Sequence, residues 1–146
     1  MTRARQAVDI YKQEFTCSQA VLIVFADDFG LERDTALRIA CGMGGGMGRS
    51  DHICGAVTGA IMVLGLKYGM TDPERQEDKL NTYGKVREFI ERFTSSCGSI
   101  GCTDLIGCNL STPEGMERCK TEELSDRACP PLVEEAVRIL EEMLQE

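Results

Sequence analysis

Sulfur is the only abundant reactive side chain in this sequence, where eight cysteines stand beside a single histidine. The thiolate of cysteine attacks disulfides and binds soft metals, so the chemistry open to the chain is thiol chemistry. The cysteines are Cys17, Cys41, Cys54, Cys97, Cys102, Cys108, Cys119 and Cys129, and no two are spaced as CxxC. That spacing leaves out the thioredoxin motif, haem attachment through CxxCH and the paired CxxC units of a zinc ribbon. Cys97 and Cys102 form CxxxxC, but a plant-type ferredoxin needs another cysteine three positions on, where Leu105 stands. Ligands or reacting thiols must therefore converge from separate elements, as metal sites do inside helical bundles.

Four of the cysteines fall where a helix is expected to begin. Thr16-Cys17-Ser18-Gln19 has the Thr and Gln of a capping box, which puts Cys17 in a first turn. Cys54 follows the candidate caps Ser50 and Asp51, Cys102 opens a short turn, and Cys129 directly precedes Pro130, the expected start of the last helix. A helix start carries partial positive charge and stabilises a thiolate, so these four thiols are expected below the ordinary value of ~8.5, in one electropositive pocket. Cys54 is the leading candidate for the attacking thiolate. His52, two residues before it, could take its proton, but residues two apart on a helix point in different directions.

Other motifs carry less. The run CGMGGGMGRSDHICG suggests an anion cradle, yet Gly48-Arg49-Ser50 lacks the Walker lysine, and every GxGxxG register fails at Met47, Arg49 or Asp51. Tight helix packing with a flexible turn is the better reading. One histidine and no GxSxG elbow give a hydrolase triad nothing to build on.

The elements that must position the cysteines read as helices throughout, with no convincing strand alternation, and the expected class is all-α in one domain over residues 1–146. Helices are expected over about 2–14, 17–29, from 33 into the glycine run, from 50 or 51 as the central helix, from Asp72-Pro73 to about 94, and from Pro130 to the end. Short turns are expected near 102–106 and 113–121. Gly55, Ala56, Gly59 and Ala60 would let a second helix approach the central one closely. Leu80, Tyr83, Val86, Phe89, Ile90 and Phe93 form the expected buried stripe of the fifth helix. Exposed Met43 and Met47 offer a surface for a homo-oligomer, with core packing the preferred use.

A net charge of -8 opposes binding to phosphate backbones, so nucleic acid is not an expected partner. The longest apolar stretch, Ile53 to Leu66, falls short of the ~18–20 residues of a bilayer span. The polar start MTRARQAVDIYKQEF lacks the apolar core of a signal peptide, and a reducing cytoplasm is the expected compartment.

In the order of its motifs the chain resembles the C_GCAxxG_C_C family, whose members are described as redox-active. The core is Cys54-Gly55-Ala56-Val57-Thr58-Gly59, accompanied by CSQAVL at Cys17, GMGGGMGR, IGCTDLIG at Cys102, LSTPEG from Leu110 to Gly115 and CPPLVEEA at Cys129. The resemblance implies that the family's four characteristic cysteines are Cys17, Cys54, Cys102 and Cys129. It also allows an iron–sulfur cluster, because a related domain in split-Soret cytochromes is associated with one. Cys41, Cys97, Cys108 and Cys119 are additional to that set and carry no assignment.

The expected function is redox, through converging cysteines: electron transfer, or thiol/disulfide exchange as a thiol oxidoreductase acting on a redox partner protein or a small thiol or disulfide. An iron–sulfur cluster or another thiophilic metal held by the same Cys17, Cys54, Cys102 and Cys129 is the alternative. A non-catalytic helical adaptor or oligomerisation module is the rival, and it requires those sulfurs to be dispersed.

Overall fold

Local helix signals are realised as eight helices and no strand in the computed structural model, which describes residues 1–146. In chain order they are α1 (Arg3–Tyr11), α2 (Cys17–Ala26), α3 (Arg33–Cys41), α4 (Gly55–Tyr68), α5 (Gln76–Cys97), α6 (Cys102–Ile106), α7 (Pro113–Glu122) and α8 (Leu124–Gln145). The glycine run between α3 and α4 is a turn, because Gly45 and Gly46 are left-handed at φ 69° and 78°. No helix is long and apolar enough to cross a membrane.

The capping box forms as expected. The Thr16 hydroxyl accepts from the Gln19 amide at 3.1 Å, and the Gln19 side chain accepts from the Thr16 amide at 2.9 Å. This satisfies two amides of α2 that its own ladder leaves free, a contribution of about 1 kcal/mol. Buried Ser18 donates to the Ala40 carbonyl at 2.7 Å, and Gln19 Nε2 donates to the Leu37 carbonyl at 3.0 Å, so α3 is anchored to the start of α2.

Helix α4 is central, with Ala56, Val57, Ala60, Val63 and Leu64 fully enclosed. Its two glycines set its distance from α2. A Cβ on Gly59 would lie 2.9 Å from the Ser18 carbonyl oxygen and 3.0 Å from Val21 Cβ, and one on Gly55 would lie 3.1 Å from Cys17 Cβ. Backbone meets backbone here, and the starts of α2 and α4 are drawn together.

Three expectations change. The last helix begins at Leu124, not Pro130, because Glu123 takes a left-handed conformation (φ 53°) that ends α7 and lets a new helix start at once. Pro130 and Pro131 lie inside α8, and their missing N–H groups leave the Asp126 and Arg127 carbonyls without helical donors. In α5, Leu80 and Tyr83 are exposed while Phe89 and Phe93 are buried. Leu80 precedes Phe89 by about two and a half helical turns and so faces away from it. The central helix starts at Gly55, with Cys54 itself as its cap residue, since Asp51 is left-handed (φ 64°) and the chain is still extended at Cys54.

Replacing Gly59 by Ala should destabilise the fold by about 1–3 kcal/mol, since neither a carbonyl oxygen nor a β-branched side chain yields easily. Gly65→Ala in the same helix, where nothing lies within 4 Å, should be neutral or stabilising by a few tenths to about 1 kcal/mol. Chemical denaturation of both variants measures the difference, and equal midpoints would contradict the packing role of Gly59.

Candidate functional site

Two chain segments are joined by two backbone hydrogen bonds. The Cys54 amide donates to the Ile100 carbonyl at 2.7 Å and the Cys102 amide donates to the His52 carbonyl at 2.9 Å, flanking an antiparallel bridge between Ile53 and Gly101. The starts of α4 and α6 are thereby held side by side. Gly46 presses against this bridge: it is left-handed, and a Cβ there would lie 2.8 Å from Cys102 Cβ. Gly55 adds the start of α2, carrying Cys17, from the other direction.

The result is a cleft of about 680 Å³ whose wall includes Cys17, Cys54, Cys102 and Cys129 together. All four predicted site residues line one space, and all four are buried, none more than 8% exposed. Exposed Cys41 reaches the same cleft, whereas Cys97, Cys108 and Cys119 do not line it. His52 is exposed and absent from the wall, and its contribution is through its backbone.

The thiols do not share one electrostatic fate. Burial pushes Cys54 up to about 11, although the Ala56 and Val57 amides pull the other way without closing a full capping hydrogen bond. Burial pushes Cys102 up to about 12, reinforced by the charges of Cys54 and Cys129. Cys17 is raised well above its ordinary value, first by hydrogen bonding to Cys129, then by burial. Cys129 alone is lowered. Hydrogen bonding from Cys17 is the largest cause, with Tyr11 and Ser125 also donating, against the opposing effects of burial and of Asp126.

These directions correct the expectation that helix starts depress all four thiols. A helix terminus is worth about 0.3–1 kcal/mol, less than one pKa unit, whereas full burial moves a group by up to ~3–5 units. Cys129 also lies five residues into α8, so its stabilisation comes from side-chain donors and not from free amides. Nor is the pocket electropositive: Lys12 and Arg49 at its wall are matched by Glu14 and Asp126.

Cys17 and Cys129 influence each other's ionisation in opposite directions, favouring the thiolate at Cys129 and the thiol at Cys17. Tyr11, itself raised by burial and then by the Cys129 charge, keeps its hydroxyl hydrogen and stays a donor. Tyr11 and Ser125 are the residues that sequence reasoning missed. Ser125 precedes Cys129 by one helical turn, a signal hidden by placing the helix start at Pro130; nothing local marks Tyr11.

As a metal site the same set fits poorly. No three cysteine, histidine or carboxylate side chains are grouped closely enough to hold one metal ion. What the arrangement does supply is one sulfur shifted down, another shifted up, and a cleft that both line.

A family model described as "Putative redox-active protein (C_GCAxxG_C_C)" matches residues 15–143. An uncharacterized protein of Archaeoglobus fulgidus is 26% identical over 131 residues, covering 85% of this chain and 86% of the relative. No solved structure matches the chain.

Cys129 should react with a small thiol-directed reagent at lower pH than an unperturbed cysteine, while Cys54 and Cys102 require strongly alkaline solution. The sign follows from the thiolate being the reactive form: a lowered value moves the rate rise to lower pH. Tyr11→Phe removes one donor and should move the Cys129 profile upward. Rates of methylthiolation by peptide mass spectrometry across pH 6 to 11 (about the span between ordinary and raised thiols) measure this, and Cys54 reacting first would contradict it.

Proposed function

The chain belongs to the C_GCAxxG_C_C family, and from that premise and the cleft we propose a dithiol oxidoreductase that reduces small disulfides, with Cys129 attacking and Cys17 resolving. The observation that carries this reading is that Cys17 and Cys129 line one cleft, with the Cys129 thiol lowered and the Cys17 thiol raised. A nucleophile must lose its proton readily, while a resolving thiol must keep its proton until needed. Cys129 replaces Cys54 as the leading nucleophile for that reason.

The reaction balances as two exchanges. The Cys129 thiolate attacks one sulfur of a disulfide RSSR, forming a mixed Cys129–SR disulfide and expelling RS⁻, which takes a proton from water. Cys17 then loses its proton to water and attacks Cys129 Sγ, closing a Cys17–Cys129 disulfide and releasing the second RS⁻. The substrate gains two electrons and the protein loses two. Tyr11 and Ser125 hold the Cys129 sulfur while it carries charge. Cys54 and Cys102, both raised, remain neutral walls of the cleft.

Recession of the sulfurs and the size of the cleft favour a low-mass disulfide over a folded protein partner. A volume of about 680 Å³ is that of a small-molecule pocket. Lys12 and Arg49 opposite Glu14 and Asp126 suit a substrate bearing both charges, such as an amino-acid or short peptide disulfide. The adaptor reading draws less support, since the four cysteines line one cleft. Metal binding by the four cysteines draws support from their common cleft but not from their spacing.

Cys129→Ser should lower cystine or oxidised-glutathione reduction by at least about two orders of magnitude, the scale seen when a reacting nucleophile is removed. Cys17→Ser should accumulate a mixed disulfide on Cys129, visible as the mass of one bound substrate half. Stoichiometric iron and acid-labile sulfide in anaerobically purified protein, lost in Cys54→Ser and Cys102→Ser alike, would replace the dithiol reading with the cluster reading.

A further inference from the structure

Two further buried cysteines lie on segments that are tied together beside the cleft. Cys108 follows Gly107, whose left-handed backbone (φ 87°) ends α6, and Cys119 lies in the second half of α7. Both are buried, at 4% and 8% exposure. The residues next to them in sequence are tied directly, since Arg118 donates to the Gly107 carbonyl at 2.8 Å. Asn109 and Thr112 fix the intervening loop: the Thr112 hydroxyl donates to the Asn109 carbonyl at 3.1 Å and accepts from the Gly115 amide at 3.0 Å. This tight turn presses so closely that a Cβ on Gly115 would overlap the Asn109 carbonyl. The loop therefore folds the start of α7 back onto Asn109, next to Cys108, and Arg118 ties the residue beside Cys119 to Gly107.

Ser125 connects this pair to the cleft. Its hydroxyl lies 2.8 Å from Cys119 Sγ, it lines the cleft wall, and it precedes Cys129 by four residues on α8, which puts both on one face of that helix. One serine thus touches the sulfur of Cys119 and shares a helix face with Cys129.

We infer that Cys108 and Cys119 are a second dithiol that regenerates the Cys17/Cys129 pair by internal disulfide exchange through Cys129. The inference rests on the dithiol reading given above. Cys119 loses its proton to water and attacks Cys129 Sγ; the Cys17–Cys129 bond breaks, and Cys17 leaves and is protonated. Cys108 then loses its proton and attacks Cys119 Sγ, closing a Cys108–Cys119 disulfide and releasing the Cys129 thiolate. Two electrons move from one pair to the other and no external oxidant is used. An external dithiol reductant then reduces the Cys108–Cys119 disulfide, so that substrate and reductant need not compete for the same cleft. Electrostatics agrees with this proximity. Burial pushes Cys108 up to about 11, hydrogen bonding and charge from Cys119 push it the same way, and the charge of Cys129 reaches it.

The test uses the full chain and disulfide mapping by mass spectrometry after oxidation with diamide, with circular dichroism confirming that each variant is folded. In Cys17→Ser/Cys129→Ser, the Cys108–Cys119 disulfide should form; its absence at every oxidant level overturns the second site whatever the first pair does. In Cys17→Ser/Cys108→Ser, a Cys119–Cys129 disulfide should form, and its absence overturns the transfer step. In wild type given one equivalent of oxidant, Cys17–Cys129 should appear first and Cys108–Cys119 later with no further oxidant. A wild type that never closes Cys17–Cys129 removes the underlying dithiol function and this relay with it, even if Cys108–Cys119 still closes.

Discussion

The contact on which the cleft depends is the one between α2 and α4, where no side chain separates the two backbones. Gly55 and Gly59 leave room for Cys17, Ser18 and Val21 to lie directly against the central helix. Any larger residue would push the start of α2 outward and carry Cys17 with it. The buried Ser18 and Gln19 hydrogen bonds to α3 then fix that helix to the same corner. A small-residue face is thus a positioning device: it exchanges side-chain volume for proximity of the reacting groups.

Once gathered, the sulfurs cannot all be thiolates. Several negative charges in one cleft repel, and each buried sulfur loses hydration, so burial and mutual repulsion outweigh the helix termini. The fold resolves this by concentrating donors on one sulfur. Cys129, which shares the cleft wall with Cys17 of α2, Tyr11 of α1 and Ser125 of its own helix, is the one thiol there that is lowered. Sulfur number sets how many groups compete; donor placement decides which one ionises.

Much of the fold was legible because helix signals are local. The capping box at Thr16, the proline at Pro113 and the glycine after Ile106 mark ends at the residues where helices do begin or stop. Pro130 misled for an instructive reason: proline is common in a first turn, but a left-handed Glu123 started the helix earlier, and that conformation has no reliable sequence mark in a glutamate. Leu80 and Tyr83 misled because a periodic stripe says nothing about how far along a helix the core extends.

By itself the sequence determined an all-helical chain and nominated Cys17, Cys54, Cys102 and Cys129, because caps, periodicity and small-residue spacing act within a few residues. Only the tertiary structure decided that these four face one cleft and that Tyr11 and Ser125 join them. Those outcomes depend on the Ile53–Gly101 bridge and on helix contacts between residues far apart in the chain. Ionisation depends on the same thing: a thiol's pKa responds to what surrounds it within a few ångströms, and packing, not neighbouring sequence, supplies those surroundings.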